Sequence, residues 1–147
     1  MSVNKVILIG NVGQEPEVRY LEGGVCVAKV RLATSERAYT LQNGTQVPER
    51  TEWHDVIFWR AQGEYVEKYV HTGDKLFVEG KLQYRKYTDK QGLSRTVVEI
   101  MANALEILAS AQQKRQETGA ANPQGNTPKP QPETPTEPAG NETDLPF

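Results

Sequence analysis

Apolar and polar residues alternate through Thr51–Arg60, and this alternation predicts a β-strand. Val56 and Phe58 lie on one face of the strand and can fill a core, whereas Trp53 and Trp59 lie on the other face. A strand that buries one face has no structural need for two indoles on the opposite face. Because each base stacked on an aromatic ring contributes ~1–3 kcal/mol, the second face is a candidate nucleic-acid surface. The alternative is that both faces are buried, the second one against another subunit or sheet.

Three further β-rich stretches precede this tryptophan strand. Val3–Gly10 is a compact apolar run that ends in a turn, while Glu17–Leu21 and Val25–Thr34 flank a Gly-Gly turn and predict a hairpin. Within that hairpin Lys29 and Arg31 lie on the face opposite the core stripe, and Arg31 is a candidate DNA-binding cation. The polar segment Ser35–Arg50 predicts a long hairpin loop that leads into the tryptophan strand.

The periodicity changes after the tryptophan strand. Tyr65, Val66, Tyr69 and Val70 recur with the spacing of one helical stripe, which predicts a short helix over Ala61–His71. Because all four residues share this stripe, we expect the two tyrosines to be part of the core and not base-stacking residues.

Two long strands, Lys75–Tyr87 and Leu93–Leu108, complete the predicted elements. They are longer than a small core requires, so we expect their hairpin to project as an arm. Cations and tyrosines are interleaved at its tip, which has the composition of a single-strand binding groove. An edge hairpin protected by charges is the alternative, but it does not explain the tyrosines. The tip residues are Tyr84, Arg85, Lys86, Tyr87, Lys90 and Arg95.

The order of these elements predicts the fold. A single helix between the tryptophan strand and the last two strands is typical of an OB-fold, a small five-stranded Greek-key barrel with its helix between the third and the fourth strand. We therefore predict an all-β domain over residues 1–111. Seven of the nine prolines lie after residue 120, and the large apolar residues are absent between Gln112 and Thr143. Such a composition cannot offset the entropy of ordering, so we expect a disordered linker over residues 112–141.

The last six residues, 142–147, differ from the linker that precedes them. Glu142 and Asp144 provide negative charge, and the chain then ends in Leu145, Pro146 and Phe147. An acidic, Phe-ended peptide suits a partner that offers a basic pocket beside an apolar one. We therefore predict a protein-binding peptide in which Asp144, Leu145, Pro146 and Phe147 make the contacts.

The predicted domain is electrically neutral, with fourteen Lys or Arg and fourteen Asp or Glu residues. Attraction for phosphates must then come from local clusters of cations. The single cysteine, Cys26, excludes an intramolecular disulfide, and with two histidines it makes no zinc set. With no Gly-rich phosphate loop and no nucleophile–base pair, we expect no enzyme, cofactor or metal. The lack of a signal peptide or a membrane-length apolar run predicts a cytoplasmic protein.

Five segments, in the right order, resemble the bacterial single-stranded DNA-binding proteins. They are VNKVILIGNVGQEPEVRY at Val3–Tyr20, LATSE at Leu32–Glu36, TEWH at Thr51–His54, EGKL at Glu79–Leu82 and DLPF at Asp144–Phe147. The resemblance implies an OB-fold that forms a homotetramer and wraps single-stranded DNA at the nucleoid. It also implies that the terminal peptide recruits replication, repair and recombination proteins.

The resemblance also implies roles for individual residues. Trp53, Trp59 and Tyr87 match the base-stacking aromatics of the family. Ala38 stands where the family has a loop tryptophan, which leaves its neighbour Tyr39 as the candidate aromatic of that loop. The cations along the DNA path are matched by Lys5, Arg85, Lys86 and Arg95.

Three functions fit these observations. The first is sequence-independent binding of single-stranded DNA, in which rings stack on bases and cations hold phosphates. The second is an adaptor that recruits enzymes through its tail and binds nucleic acid only incidentally, which the neutral domain favours. The third is an RNA-binding OB protein of the cold-shock type. Contacts with the ribose 2′-OH would distinguish this function from DNA binding.

Overall fold

The computed structural model describes residues 1–113. Between residues 1 and 109 the regular elements are strands and one short helix, as the alternation predicts. In chain order they are β1 (Val6–Val12), β2 (Glu17–Tyr20), β3 (Cys26–Glu36), β4 (Tyr39–Thr40), β5 (Gln46–Val47), β6 (Arg50–Trp59), α1 (Ala61–Tyr69), β7 (Lys75–Thr88) and β8 (Ser94–Ala109).

Five of the strands close into a barrel. β1, β7, β8, β6 and β3 are neighbours in one sheet, and a second pairing between β1 and β3 closes it. The neighbours are antiparallel except β6 and β8, which run parallel at Val56 and Ile57. β1 pairs with β3 at Leu32 and Ala33, and β2 pairs with the earlier part of β3, from Cys26 to Lys29. The strands β1 and β2 therefore act together as one bent first strand. A closed five-stranded barrel with one helix after its third strand is an OB-fold, which confirms the predicted fold.

The core follows from the alternation of each strand. The residues of β3 from Cys26 to Leu32 that share its core face are fully buried, as are Val56 and Phe58 of β6. The helix α1 adds Val66 and Val70. Burial of each large apolar side chain contributes roughly 1.5–3 kcal/mol, so these positions hold the barrel together.

The prediction that Tyr65 and Tyr69 belong to the core is wrong. They are 42% and 56% exposed, and their ring centroids lie 4.8 Å apart. The nine-residue helix buries a narrow stripe through Gly63, Val66 and the following Val70. The tyrosines lie beside that stripe and pack on each other instead.

The predicted long loop between β3 and β6 contains a small hairpin of its own. β4 and β5 pair through Tyr39 opposite Val47 and Thr40 opposite Gln46. The turn contains Gly44 at a φ of 83°, a conformation that glycine adopts without a steric penalty.

The β7–β8 hairpin continues beyond the barrel, and its outer part, residues 83–99, is here called the arm. Residues 84–88 and 94–96 are exposed without alternation, so neither face is covered in the outer part of the arm, whereas Glu99 at its base is buried. Asp89 orders its turn by accepting hydrogen bonds from the backbone N–H groups of Gln91 and Leu93. These bonds and the side chain of Arg95 lower the pKa of Asp89.

Candidate nucleic-acid interface

Both tryptophans lie on the outer face of the barrel. The register of β3 and β6 places Ala33 opposite Trp53 and Val27 opposite Trp59. Trp53 is 51% exposed and Trp59 is 41% exposed, although large aromatic side chains are mostly buried in folded domains. In this chain, therefore, each indole still offers surface to a ligand.

The position of Trp53 is determined by two neighbours. Cζ of Arg31 lies 5.4 Å from the centroid of the Trp53 ring, which is within the range of a cation–π contact. On another side the indole lies directly against the backbone of Gly13, where a Cβ would be 2.7 Å from Cη2 and closer still to Cζ3. The indole is therefore held in place while about half of its surface stays accessible.

Trp59 forms one wall of a groove with a volume of about 430 Å³, here called the Trp59 groove. Ile57 and Met101 provide apolar surface. Lys29, whose Nζ lies 3.2 Å from Asp55, and Arg85 bring positive charge to the groove. Glu17 and Glu99 line it as well. An aromatic wall, an apolar floor and cations are the combination that binds a base together with its phosphate.

Trp53 lines a second, smaller groove of about 180 Å³, here called the Trp53 groove. Arg31 and His54 lie beside the indole, and Leu82 and Val98 of the β7–β8 hairpin form the opposite side. His54 is partly buried and its Nε2 lies 2.8 Å from the Thr34 hydroxyl, so it is fixed within the wall.

A bidentate ion pair at this surface joins Arg85 to Glu99. Two parallel hydrogen bonds of 2.8 and 3.2 Å connect the guanidinium to the carboxylate, whose side chain is only 8% exposed. Hydrogen bonding and the charge of Glu99 raise the pKa of Arg85. The pair orients Arg85 within the Trp59 groove but also neutralises much of its charge.

Other predicted cations are also paired. Nζ of Lys5 lies 2.9 Å from Glu79, and Nε of Arg95 lies 3.0 Å from Asp89. Within residues 1–113, Arg31 and Lys86 form no ion pair with a carboxylate. They are therefore the predicted cations whose full charge is open to a phosphate.

The predicted site residues fall into separate groups. Arg85 with Trp59, and Arg31 with Trp53, lie together in the two grooves. The others line neither groove: Lys5 precedes β1 beside Glu79, Tyr39 is 57% exposed in the β4–β5 hairpin, Lys86 lies on the arm, and Tyr87 faces Arg95 across the arm. The predicted peptide residues Asp144, Leu145, Pro146 and Phe147 lie outside the described residues, as does most of the predicted linker.

The structure adds three residues that the sequence prediction did not include in the site. Lys29 could be found from its alternation with Arg31, because both lie on the outer face of β3. Gly13 contacts Trp53, and Glu99 contacts Arg85. Such contacts can be predicted only when the register between strands distant in sequence is known. No sequence signal identified them.

No helix in the described part of the chain has the length and apolar character needed to span a membrane. Residues 1–113 also contain no cluster of three or more His, Cys, Asp or Glu side chains arranged to hold a metal ion.

Comparisons with known proteins agree with this fold. Residues 3–108 match the model of the single-strand binding protein family. A single-stranded DNA-binding protein of Bacteroides thetaiotaomicron is 53% identical over 124 residues, which cover 84% of this chain and 75% of the relative. One of Neisseria meningitidis serogroup A is 44% identical over 108 residues, which cover 74% of this chain and 61% of the relative.

A solved structure described as a Plasmodium falciparum SSB complex with ssDNA is 31% identical, with a TM-score of 0.66. The match covers 74% of this chain and 97% of that chain. Together with the match of the family model to most of the barrel, these likenesses show that the chain belongs to the single-strand binding protein family.

Proposed function

We propose that this protein binds single-stranded DNA without regard to base sequence. The observation that carries the proposal is the exposure of Trp53 and Trp59 on one outer face of the barrel, each in a groove with a cation. The similarity to single-stranded DNA-binding proteins and to a complex that contains single-stranded DNA supports the same ligand.

The chemistry of the grooves explains the lack of sequence preference. Every base has a π-face that can stack on an indole, so stacking does not discriminate between bases. Arg31 is placed to attract phosphates, which are identical along the strand. Lys29 can do so when a phosphate displaces Asp55, which lies 3.2 Å from its Nζ. The role is one of binding and protection and not of catalysis.

The test is a titration of the full chain with oligo(dT), followed by tryptophan fluorescence and by anisotropy of labelled DNA. Binding should quench the fluorescence of the wild type. Trp53→Ala and Trp59→Ala should each weaken binding about 5-fold to 100-fold, because each removes one stacked base contact.

Tyr69→Ala is the matched control, since Tyr69 is an exposed aromatic residue on α1 and lines neither groove. Its affinity should equal that of the wild type. Unchanged affinity in both tryptophan variants would contradict the proposal. Binding that stays weak at low salt and has almost no salt slope would favour the adaptor function instead.

We also propose that the protein forms a homotetramer. Ile7 and Ile9 of β1 are 56% and 52% exposed, and β1 pairs with β3 only at Asn11 and Val12. An apolar strand whose second edge has no partner over most of its length, within residues 1–113, is a surface that a second copy can cover.

The terminal peptide is proposed to recruit partners. Its acidic residues and Phe147 support contact with a basic, apolar pocket on another protein. With the DNA affinity of the barrel, such recruitment gives a role in replication, recombination and repair at the nucleoid, in the cytoplasm.

A further inference from the structure

The two faces of the arm belong to different grooves. Side chains alternate along β7, so Gln83 and Arg85 lie on one face and Leu82 and Tyr84 on the other. Gln83 and Arg85 line the Trp59 groove, whereas Leu82 lines the Trp53 groove. Tyr84 therefore lies on the face of the arm that belongs to the Trp53 groove.

Tyr84 does not itself line that groove, but it lies next to its wall on the side of the arm tip. Its register partner on β8 is Val98, which itself lines the Trp53 groove. Tyr84 is 65% exposed and Val98 is 50% exposed, so this cross-strand pair adds nothing to the barrel core. An open aromatic ring on an apolar neighbour is a surface for stacking.

The face of the arm that carries Tyr84 also carries a positive charge. Lys86 follows Tyr84 at the spacing that places both on one side of the strand, and it is exposed. Among residues 1–113 it has no carboxylate partner, in contrast to Arg85 on the opposite face, which Glu99 holds. Arg31, on the far side of the Trp53 groove, is also unpaired with a carboxylate in this part of the chain.

We propose that Tyr84 is a further base-stacking residue and that Lys86 binds the adjoining phosphate. The single strand is then contacted on both faces of the arm, by Arg85 and Tyr87 on one side and by Tyr84 and Lys86 on the other. This inference rests on the proposed function and adds a second track to it, along the wall between Trp53 and the tip of the arm.

The first test compares oligo(dT) affinities of variants at position 84. Tyr84→Ala and Tyr84→Leu should each weaken binding about fivefold or more, because leucine keeps apolar surface but loses the ring. Tyr84→Phe should bind like the wild type. Tyr69→Ala, which removes an equally exposed tyrosine outside the grooves, should also leave the affinity unchanged.

The second test places a fluorescent reporter at the same position. Tyr84→Trp is introduced together with Trp53→Phe and Trp59→Phe, so that its indole is the one that emits. Stacking on oligo(dT) should quench this fluorescence strongly. Tyr69→Trp in the same background should show no quenching.

The outcomes separate this inference from the proposed function. If the wild type binds oligo(dT) but Tyr84→Ala and Tyr84→Leu bind equally well and the reporter is not quenched, Tyr84 is not a stacking residue and the proposed function stands. If the wild type does not bind, both fail. A change in the mass of Tyr84→Ala by light scattering would show that Tyr84 contacts a second copy, which overturns the inference.

Discussion

At the scale of single residues, the orientation of Trp53 depends on a neighbour that has no side chain. The N–H of Gly13 donates a 2.9 Å hydrogen bond to the carbonyl oxygen of Arg31, and the guanidinium of Arg31 lies over the indole. Backbone and cation therefore hold the ring from different directions. A methyl group at Gly13 would occupy the space that the ring now fills.

Gly13→Ala should weaken binding of oligo(dT) with little loss of stability. Real Cβ atoms essentially never approach other heavy atoms within 3.0 Å, so the indole must move away from its present position. Because Trp53 is half exposed, it can move without opening the core, and the melting temperature should change little. The affinity should fall severalfold, since a displaced ring forfeits part of its stacking energy.

A double-mutant cycle provides the control for this prediction. In a Trp53→Ala background, Gly13→Ala should have no further effect on affinity. If it lowers the affinity by the same factor with and without the indole, Gly13 acts independently of Trp53 and the explanation is wrong.

At this scale, the sequence correctly predicts the exposure of a side chain where the alternation of a strand determines it. The exposure of Trp53 and Trp59 follows from the period of two and from Phe58, which already fills the core on the other face. It fails for Tyr65 and Tyr69, because periodicity shows which residues share a side of a helix but not how wide the buried stripe is.

At the scale of elements, the arm carries an ion pair that holds one of the cations proposed to bind DNA. Glu99 lies beneath Arg85, which has its side chain 54% exposed. A phosphate that approaches Arg85 must compete with the carboxylate for the same guanidinium. We therefore expect the pair to reduce the contribution of Arg85 to the charge-dependent part of the binding free energy.

Glu99→Gln should raise the affinity for oligo(dT) at low salt and steepen its salt dependence. Glutamine has nearly the same shape but no charge, so Arg85 becomes free to neutralise one more phosphate. For single strands each such contact changes the slope of log K against log salt by about 0.7. The measurement is a series of titrations between low and moderate salt.

Glu106→Gln is the matched control, because Glu106 is an exposed residue of the same strand that lines neither groove. It removes the same charge at a distance from the arm. A rise in affinity of equal size in both variants would indicate a general effect of net charge, and the explanation through Arg85 would then be wrong.

The elements themselves are largely predictable from the sequence. The tryptophan strand, the helix and the two long strands begin and end within two residues of their predicted limits. The pairing of β4 with β5 was not predicted as a separate hairpin, because two-residue strands are too short to show alternation. The break between β1 and β2 is predicted by the turn after Gly10, although β1 begins at Val6 and not at Val3.

At the scale of the whole molecule, the closed barrel leaves apolar side chains on its outside. Ile7 and Ile9 lie on β1, and Phe77 opposite Ile9 is partly exposed. Isolated apolar residues are common on protein surfaces, but a contiguous row beside a free strand edge favours association.

Ile7→Glu should reduce the mass measured by light scattering from that of a tetramer to that of a smaller species. A charge at the centre of an apolar contact costs free energy because it must be desolvated without a partner. The folded barrel should persist, since Ile7 is 56% exposed in the single chain.

Leu93→Glu is the control for this experiment, because Leu93 is 54% exposed but lies at the turn of the arm. It should keep the mass of the wild type. A wild type that is monomeric at all concentrations, or an Ile7→Glu variant with unchanged mass, would contradict the assembly proposal. Neither composition nor periodicity predicts the number of subunits, which follows only from the resemblance to the family.

The register of the arm has a consequence for how its length can vary. The register is continuous along the arm, from Gln83 opposite Glu99 to Thr88 opposite Ser94. The face on which each side chain of the arm lies is therefore determined by the position of the residue before it. If one residue pair were removed from the strands before Tyr84, Tyr84 would lie on the face where Arg85 now lies, and Arg85 on the face of Tyr84. If both sides contact the strand, the arm can grow or shrink only by an even number of residues in each strand, and parity becomes a constraint on its evolution.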